Sequence, residues 1–188
     1  VFIAENLGVR FGSRWIFRGL DARLEPGQVL AVRGDNGSGK STFLRVAAGL
    51  LAASEGTLST TGRAGYFAVD VATYPALTAE QHVAFVAECL GIAADPREIL
   101  ESVGLKDTGN KLAGQFSTGM RVRLRLALAS LGSPDWLILD EPTAALDESG
   151  RAMVHDWIRR CSSHGAVVMA TNDSRDLALA THEVTFHA

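Results

Sequence analysis

Apolar residues change their spacing along the chain and divide it into three stretches. The first is β-rich: FIAENLGV, then WIFRGLDARL, a Pro26-Gly27 turn and the strand VLAVRG. A glycine-rich GDNGSGK follows that strand directly, STFLRVAAGLL continues as a helix, and a second β pair around 56–58 and 63–67 closes this part. The middle is helical. Thr78-Ala-Glu-Gln81 is a capping-box pattern opening TAEQHVAFVAECL, with Gly91 as its stop. Asp95-Pro96 opens a short helix ending at Gly104, and GMRVRLRLALASLG makes another that stops near Gly132. The last stretch alternates strand WLILD, helix ESGRAMVHDWIRRC, strand AVVMAT, helix SRDLALA and strand EVTFH. Apolar, non-alternating strands separated by helices argue for a parallel sheet covered on both faces. The expected class is α/β: a parallel sheet, an N-terminal antiparallel β part and a helical insertion at about 70–135, within a single domain, 1–188.

Composition narrows this reading. A hydrophobic content of 47% and a charged content of 21% belong to a folded chain. The net charge of -3 gives no support to a basic nucleic-acid groove, so no direct nucleic-acid partner is expected. No apolar run approaches the ~20 residues that cross a bilayer, and no signal peptide opens the sequence, so a membrane role would come through a partner. Cys89 and Cys161 form no metal-ligand pattern. Each falls on the apolar side of a helical segment, where a reduced core thiol in the cytosol is the expectation.

Two motifs carry chemistry. Gly34-Asp-Asn-Gly-Ser-Gly39-Lys40-Ser41 fits G-x-x-x-x-G-K-[ST], and makes the sheet the core of a P-loop nucleotide triphosphatase. Its glycines let successive N–H groups curl around a phosphate at the positive end of the next helix. Lys40 would neutralise the β- and γ-phosphates and Ser41 would ligate magnesium. Gly34, Asn36, Gly37, Ser38, Gly39, Lys40, Ser41 and Thr42 form the expected nucleotide-binding set. About a hundred residues on, Trp136-Leu-Ile-Leu-Asp140-Glu141 supplies a second magnesium ligand, Asp140, and a general base for the attacking water, Glu141.

Phe116-Ser-Thr-Gly-Met120 resembles the signature of ABC ATPases, usually Leu-Ser-Gly-Gly-Gln. Ser117 and Gly119 match; Phe116, Thr118 and Met120 depart. Ala144-Ala-Leu-Asp147 resembles the D-loop of that family, and Asn36-Gly37 and Tyr74-Pro-Ala-Leu-Thr78 also look like it. The resemblance covers nearly the whole chain in order and spacing. It implies an ATPase subunit of an ABC transporter, with ATP and Mg2+ held between the phosphate loop of one copy and Ser117 and Gly119 of a second, in a homo- or heterodimer. It further implies an integral membrane permease docked on the helical insertion, and a cytoplasmic location on the inner face of the membrane. Small heme-exporter ATPases are similarly compact. Phe11 matches the position where the family stacks an aromatic ring on adenine. Arg121 and Arg125 share a helical face, read as solvated.

Two family positions are changed. The glutamine that reaches toward magnesium is replaced by Val69, with Asp70 beside it as a weak substitute. The histidine that bonds the γ-phosphate after the strand AVVMA is replaced by Asn172; Thr181-His182 follows a helix rather than that strand and is rejected. Asparagine can donate an N–H but has no positive form. Loss of one such donor can cost ~3 kcal/mol, about a hundredfold in turnover. Near-normal ATP binding with slow hydrolysis is therefore expected. The rival expectations are a weak subunit paired with a competent one, or a switch ATPase acting on nucleic acid or ribosomes.

Overall fold

A computed structural model describes residues 2–68 and 70–187. Two sheets organise the chain. Strands β1 (Phe2–Phe11), β2 (Arg14–Leu24) and β4 (Glu55–Thr60) form an antiparallel sheet in the order β2-β1-β4. Strands β3 (Val29–Gly34), β5 (Ala64–Phe67), β6 (Trp136–Asp140), β7 (Ala166–Ala170) and β8 (His182–Phe186) form the parallel sheet, ordered β5-β6-β7-β3-β8. Every pairing within it is parallel.

The apolar strands are buried on both faces because successive side chains enter different cores. Leu137 and Leu139 of β6 join one cluster, whereas Trp136 and Ile138 join the other. On one face lies α1 (Lys40–Ala47) under the antiparallel sheet, where Phe2, Phe17, Phe43, Trp136 and Phe186 pack with ring centroids 5.2 to 6.3 Å apart. On the other lie α2 (Ala79–Leu90), α3 (Pro96–Ser102), α4 (Thr118–Ala129) and α5 (Glu148–Ser162), sharing a core with Leu137, Leu139, Val167 and Met169.

Local chemistry sets the helix ends. Thr78 accepts from the Gln81 N–H while Gln81 bonds back to the Thr78 N–H, and Gly91 leaves α2 in left-handed backbone at φ 65°. Asp95 caps α3, with Pro96 in its first turn.

Several expectations need correction. The strands near 56–58 and 63–67 are not partners: β4 pairs with β1, and β5 pairs with β6. Arg63 is stitched to Asp135, its N–H donating to the Asp135 carboxylate and its carbonyl accepting from the Asp135 N–H, which delivers β5 to the parallel sheet. Helix α1 ends before Leu50, with Gly49 at φ 71° just beyond it. The helix after β7, α6, spans only Ser174–Leu177. Cys89 is exposed, because α2 buries Ala79, His82, Val83 and Ala87 and turns Cys89 outward; Cys161 is half-buried, its thiol pushed up to about 11 by burial. Arg125 is not a solvated side chain: its Nε–H donates to the Val71 carbonyl at 2.7 Å, and burial lowers its pKa.

Candidate functional site

The site forms where β3 and β6, the two strands flanking β7, end on the parallel sheet. Beyond β3 the chain needs left-handed backbone to curl back into α1, and Gly34, Gly37 and Gly39 supply it at φ 141°, 82° and 105°. At Gly34 a side chain would also collide with the Phe186 carbonyl and Ser38 Oγ. Lys40 is buried, and its Nζ sits inside the loop, donating to the carbonyls of Gly34 at 2.7 Å and Asp35 at 3.2 Å. In the same loop Ser38 Oγ is buried without a hydrogen-bond partner among the described residues.

A cavity of about 280 Å³ opens against this loop. Asn36, Gly37, Gly39, Lys40, Ser41 and Thr42 line it from one side, Asp140 and Glu141 from the other, and Ile16 of β2 closes it. Burial holds the Asp140 carboxyl above its usual range, opposed by a hydrogen bond with Ser41. Burial also raises Glu141, opposed by the Lys40 ammonium. The hydroxyl and carboxylate form an all-oxygen pair that fits Mg2+, which binds one or two carboxylates and completes its shell with phosphate and water oxygens.

Glu141 has left-handed backbone, φ 51°, which costs a non-glycine residue about 1–3 kcal/mol. Its N–H donates to the Ala170 carbonyl at 3.0 Å, tying the end of β6 to β7. Asn172 lies just beyond β7, and its amide is clasped to the end of β3. Its Nδ2 donates to the Gly34 carbonyl at 2.8 Å, and its Oδ1 accepts from the Gly34 N–H at 3.2 Å. Lys40 and Asn172 therefore share one carbonyl at the root of the phosphate loop.

Ser117 and Gly119 belong to a different cavity, of about 580 Å³, which shares no lining residue with the first. Ser117 caps α4, its Oγ accepting from the Met120 N–H at 3.2 Å, and Gly119 sits in the first turn. Leu146 and Asp147 form the opposite wall, with Asp147 capping α5.

Phe11 ends β1 at the tip of the first hairpin and is 56% exposed, outside the cavity lining. Ile16, which touches the loop at Gly39, was not among the expected residues; a lone aliphatic on an antiparallel strand carries no motif. Val69 lies outside the described residues. Asp70 is exposed and paired with Arg45 at 3.1 Å. His182 starts β8 opposite Leu30, four residues before the register of Gly34, so it stands at the far end of the sheet from the loop.

The family model for ABC transporters matches residues 17–144, from β2 through the phosphate loop and Glu141. The chain belongs to the ABC transporter family. Members of this ATP-binding family include the cytochrome c biogenesis ATP-binding export protein CcmA of Nitrobacter winogradskyi, 35% identical over 92% of this chain and 91% of that protein. An uncharacterized ABC transporter ATP-binding protein, YxlF of Bacillus subtilis, is 37% identical over 79% of this chain but only 55% of its own length. The chain thus spans nearly all of one relative and about half of the other. Among solved structures, the ATP-binding subunit of an ABC transporter superposes with a TM-score of 0.90 at 21% identity, over 99% of this chain and 85% of that one. Another, from an inward-facing metal-chelate type ABC transporter, gives a TM-score of 0.87 at 23% identity, over 98% and 79%. These two establish the shared ABC ATPase fold. Among the described residues no helix is long and apolar enough to cross a membrane.

Proposed function

We propose that this chain binds and hydrolyses ATP to power an ABC transporter through ATP-dependent closure of two ATPase subunits, with slow turnover. The observation that carries the reading is the division of the machinery between two cavities. The phosphate loop, Asp140 and Glu141 share one, while Ser117 and Gly119 line another with a helix N-terminus free to meet an anion. Two copies placed head to tail bring these halves onto the same nucleotide.

Lys40 and the loop N–H groups bind the β- and γ-phosphates. Ser41 and Asp140 would hold Mg2+, which when bound would supply neutralisation of charge on the transferred phosphoryl group. Glu141 takes a proton from the water whose oxygen attacks the γ-phosphorus as the bond to the β-phosphate oxygen breaks. The carboxylate must be ionised for this, so its raised pKa keeps it a better base than an exposed glutamate. Asn172 supplies no positive charge where the resemblance places a histidine, and its amide is clasped to Gly34. Both features support weak stabilisation of the charge that develops during hydrolysis.

The membrane partner is a permease subunit that docks on the helical insertion, and the chain works on the cytoplasmic face of the membrane. Exposed Tyr74, Phe85 and Leu90 border a cleft between β5 and the insertion, which supports an apolar contact there. Named relatives include both an export protein and an aliphatic sulfonates import protein, in keeping with cargo being chosen by the permease. The acidic net charge speaks against the switch acting on nucleic acid.

The test is Asn172→His, assayed for steady-state ATP turnover and equilibrium nucleotide affinity. Turnover should rise by at least about tenfold, with affinity little changed. An unchanged rate would remove position 172 as a limit on catalysis. Mixing the chain with a Glu141→Gln copy separates a self-sufficient pair from one that needs a competent partner.

A further inference from the structure

Behind Glu141 lies a buried ionic cluster to which the mechanism above gives no role. Its centre is Asp176, on α6 and 1% exposed. One carboxylate oxygen accepts from Thr143 Oγ1 at 2.5 Å and from Thr171 Oγ1 at 3.0 Å. The other faces Arg151 Nη1 at 3.4 Å and His155 Nε2 at 2.6 Å. Arg151 also donates to Thr143 Oγ1 at 2.7 Å and pairs with Asp173 at 3.0 Å.

The partners come from three places. Thr143 follows Glu141 by two residues, Thr171 immediately precedes Asn172, and Arg151 and His155 lie on α5. The first turns of α5 also face the signature cavity, through Asp147 and Gly150. One carboxylate therefore joins the exit of β6, the exit of β7 and the helix that borders the partner-facing surface. Apolar side chains of similar size would give comparable stability, since burying charges costs about what their attraction returns. What the charged cluster adds is direction: several donors converge on one group, which fixes the angle between the segments that carry them.

We infer that Asp176 and Arg151 form a positioning unit that holds Glu141 and Asn172 in register with the phosphate loop and ties them to the signature face. The inference rests on the reading of Glu141 as the general base. Asp176 and Arg151 touch no reacting atom; they act through Thr143 and Thr171. A small displacement of a catalytic group lowers the rate of the chemical step without loosening the nucleotide, because Lys40 and the loop N–H groups lie outside the cluster.

Thr143→Val tests this with little change of shape, removing the hydroxyl that both Asp176 and Arg151 use. Turnover of Mg-ATP and equilibrium affinity for a fluorescent ATP analogue are measured on the full chain, with Thr143→Ser and Glu141→Gln in parallel. Turnover in the valine variant should fall by about ten- to a hundredfold, affinity should hold within about threefold, and serine should restore the rate. Wild-type turnover in Thr143→Val beside an inactive Glu141→Gln would overturn the positioning unit and leave the general base standing. Parallel loss of binding and turnover in Thr143→Val would reduce the cluster to scaffolding and sink the inference. Wild-type turnover in Glu141→Gln would remove the general base, and the positioning unit with it.

Discussion

The phosphate cavity and the signature cavity lie on one chain but are built differently. The first is crowded and charged, with a buried lysine, two half-buried carboxyls, three left-handed glycines and a strained glutamate around about 280 Å³. The second is about twice as large and offers Ser117, a helix end and two charged side chains, Arg123 and Asp147, with Leu146 for a wall. Under the proposed function the first grips the nucleotide without help, and the second recognises a phosphate already held by another copy.

Three substitutions sharpen or break that contrast. The largest effect belongs to Lys40→Ala. It removes the buried ammonium from the gripping side and should weaken ATP binding by about a hundredfold or more, measured as equilibrium affinity. Retained affinity would mean that the backbone loop suffices. Next is Gly119→Leu on the recognising side. A Cβ at 119 would meet only Leu146 among the described residues, at an ordinary 3.5 Å, so the backbone there accepts a Cβ without a clash. Affinity of the isolated chain for ATP should be unchanged while turnover falls by about tenfold or more. Unchanged turnover would show that no partner approaches Gly119.

The smallest effect is the response of the phosphate cavity to pH. Burial raises the folded-state pKa of Glu141, so its contribution to stability is fully present below the unfolded value and is lost as pH rises through the folded one. At pH 7 the ionised glutamate thus weakens the fold relative to a neutral isostere. Glu141→Gln should melt higher at pH 7, where 1 kcal/mol corresponds to about 2–4 °C for a chain of this size, and the difference should shrink toward acid pH. Calorimetry at both pH values checks the sign.

Much of this contrast was visible in the residues because the phosphate-gripping parts are local. A loop such as GDNGSGK or a strand such as WLILDE declares itself through neighbours a few positions apart. The parallel sheet was legible for the same reason, since its strands are uniformly apolar. What escaped notice depends on distant partners. The strands near 56–58 and 63–67 look like a hairpin, yet Asp135, over seventy residues from Arg63, draws the second away to the parallel sheet. Cys89 looked buried because Phe85 and Leu90 flank it, but α2 keeps a narrow buried stripe and leaves all three exposed. Arg125 carries no mark in the sequence of the carbonyl that receives it. The Asp176 cluster gathers residues 143, 151, 155, 171 and 176, a spacing no short motif encodes, and Ile16 is one aliphatic among many.

The left-handed backbone at Glu141 bears on how this chain can be engineered. A library sorted for heat resistance alone would enrich glycine or asparagine at 141, since both accept φ near 51° and neither confines a carboxylate there. Under the proposed mechanism the hardiest survivors would then bind ATP without hydrolysing it. Any campaign to toughen this protein has to screen for turnover alongside melting temperature.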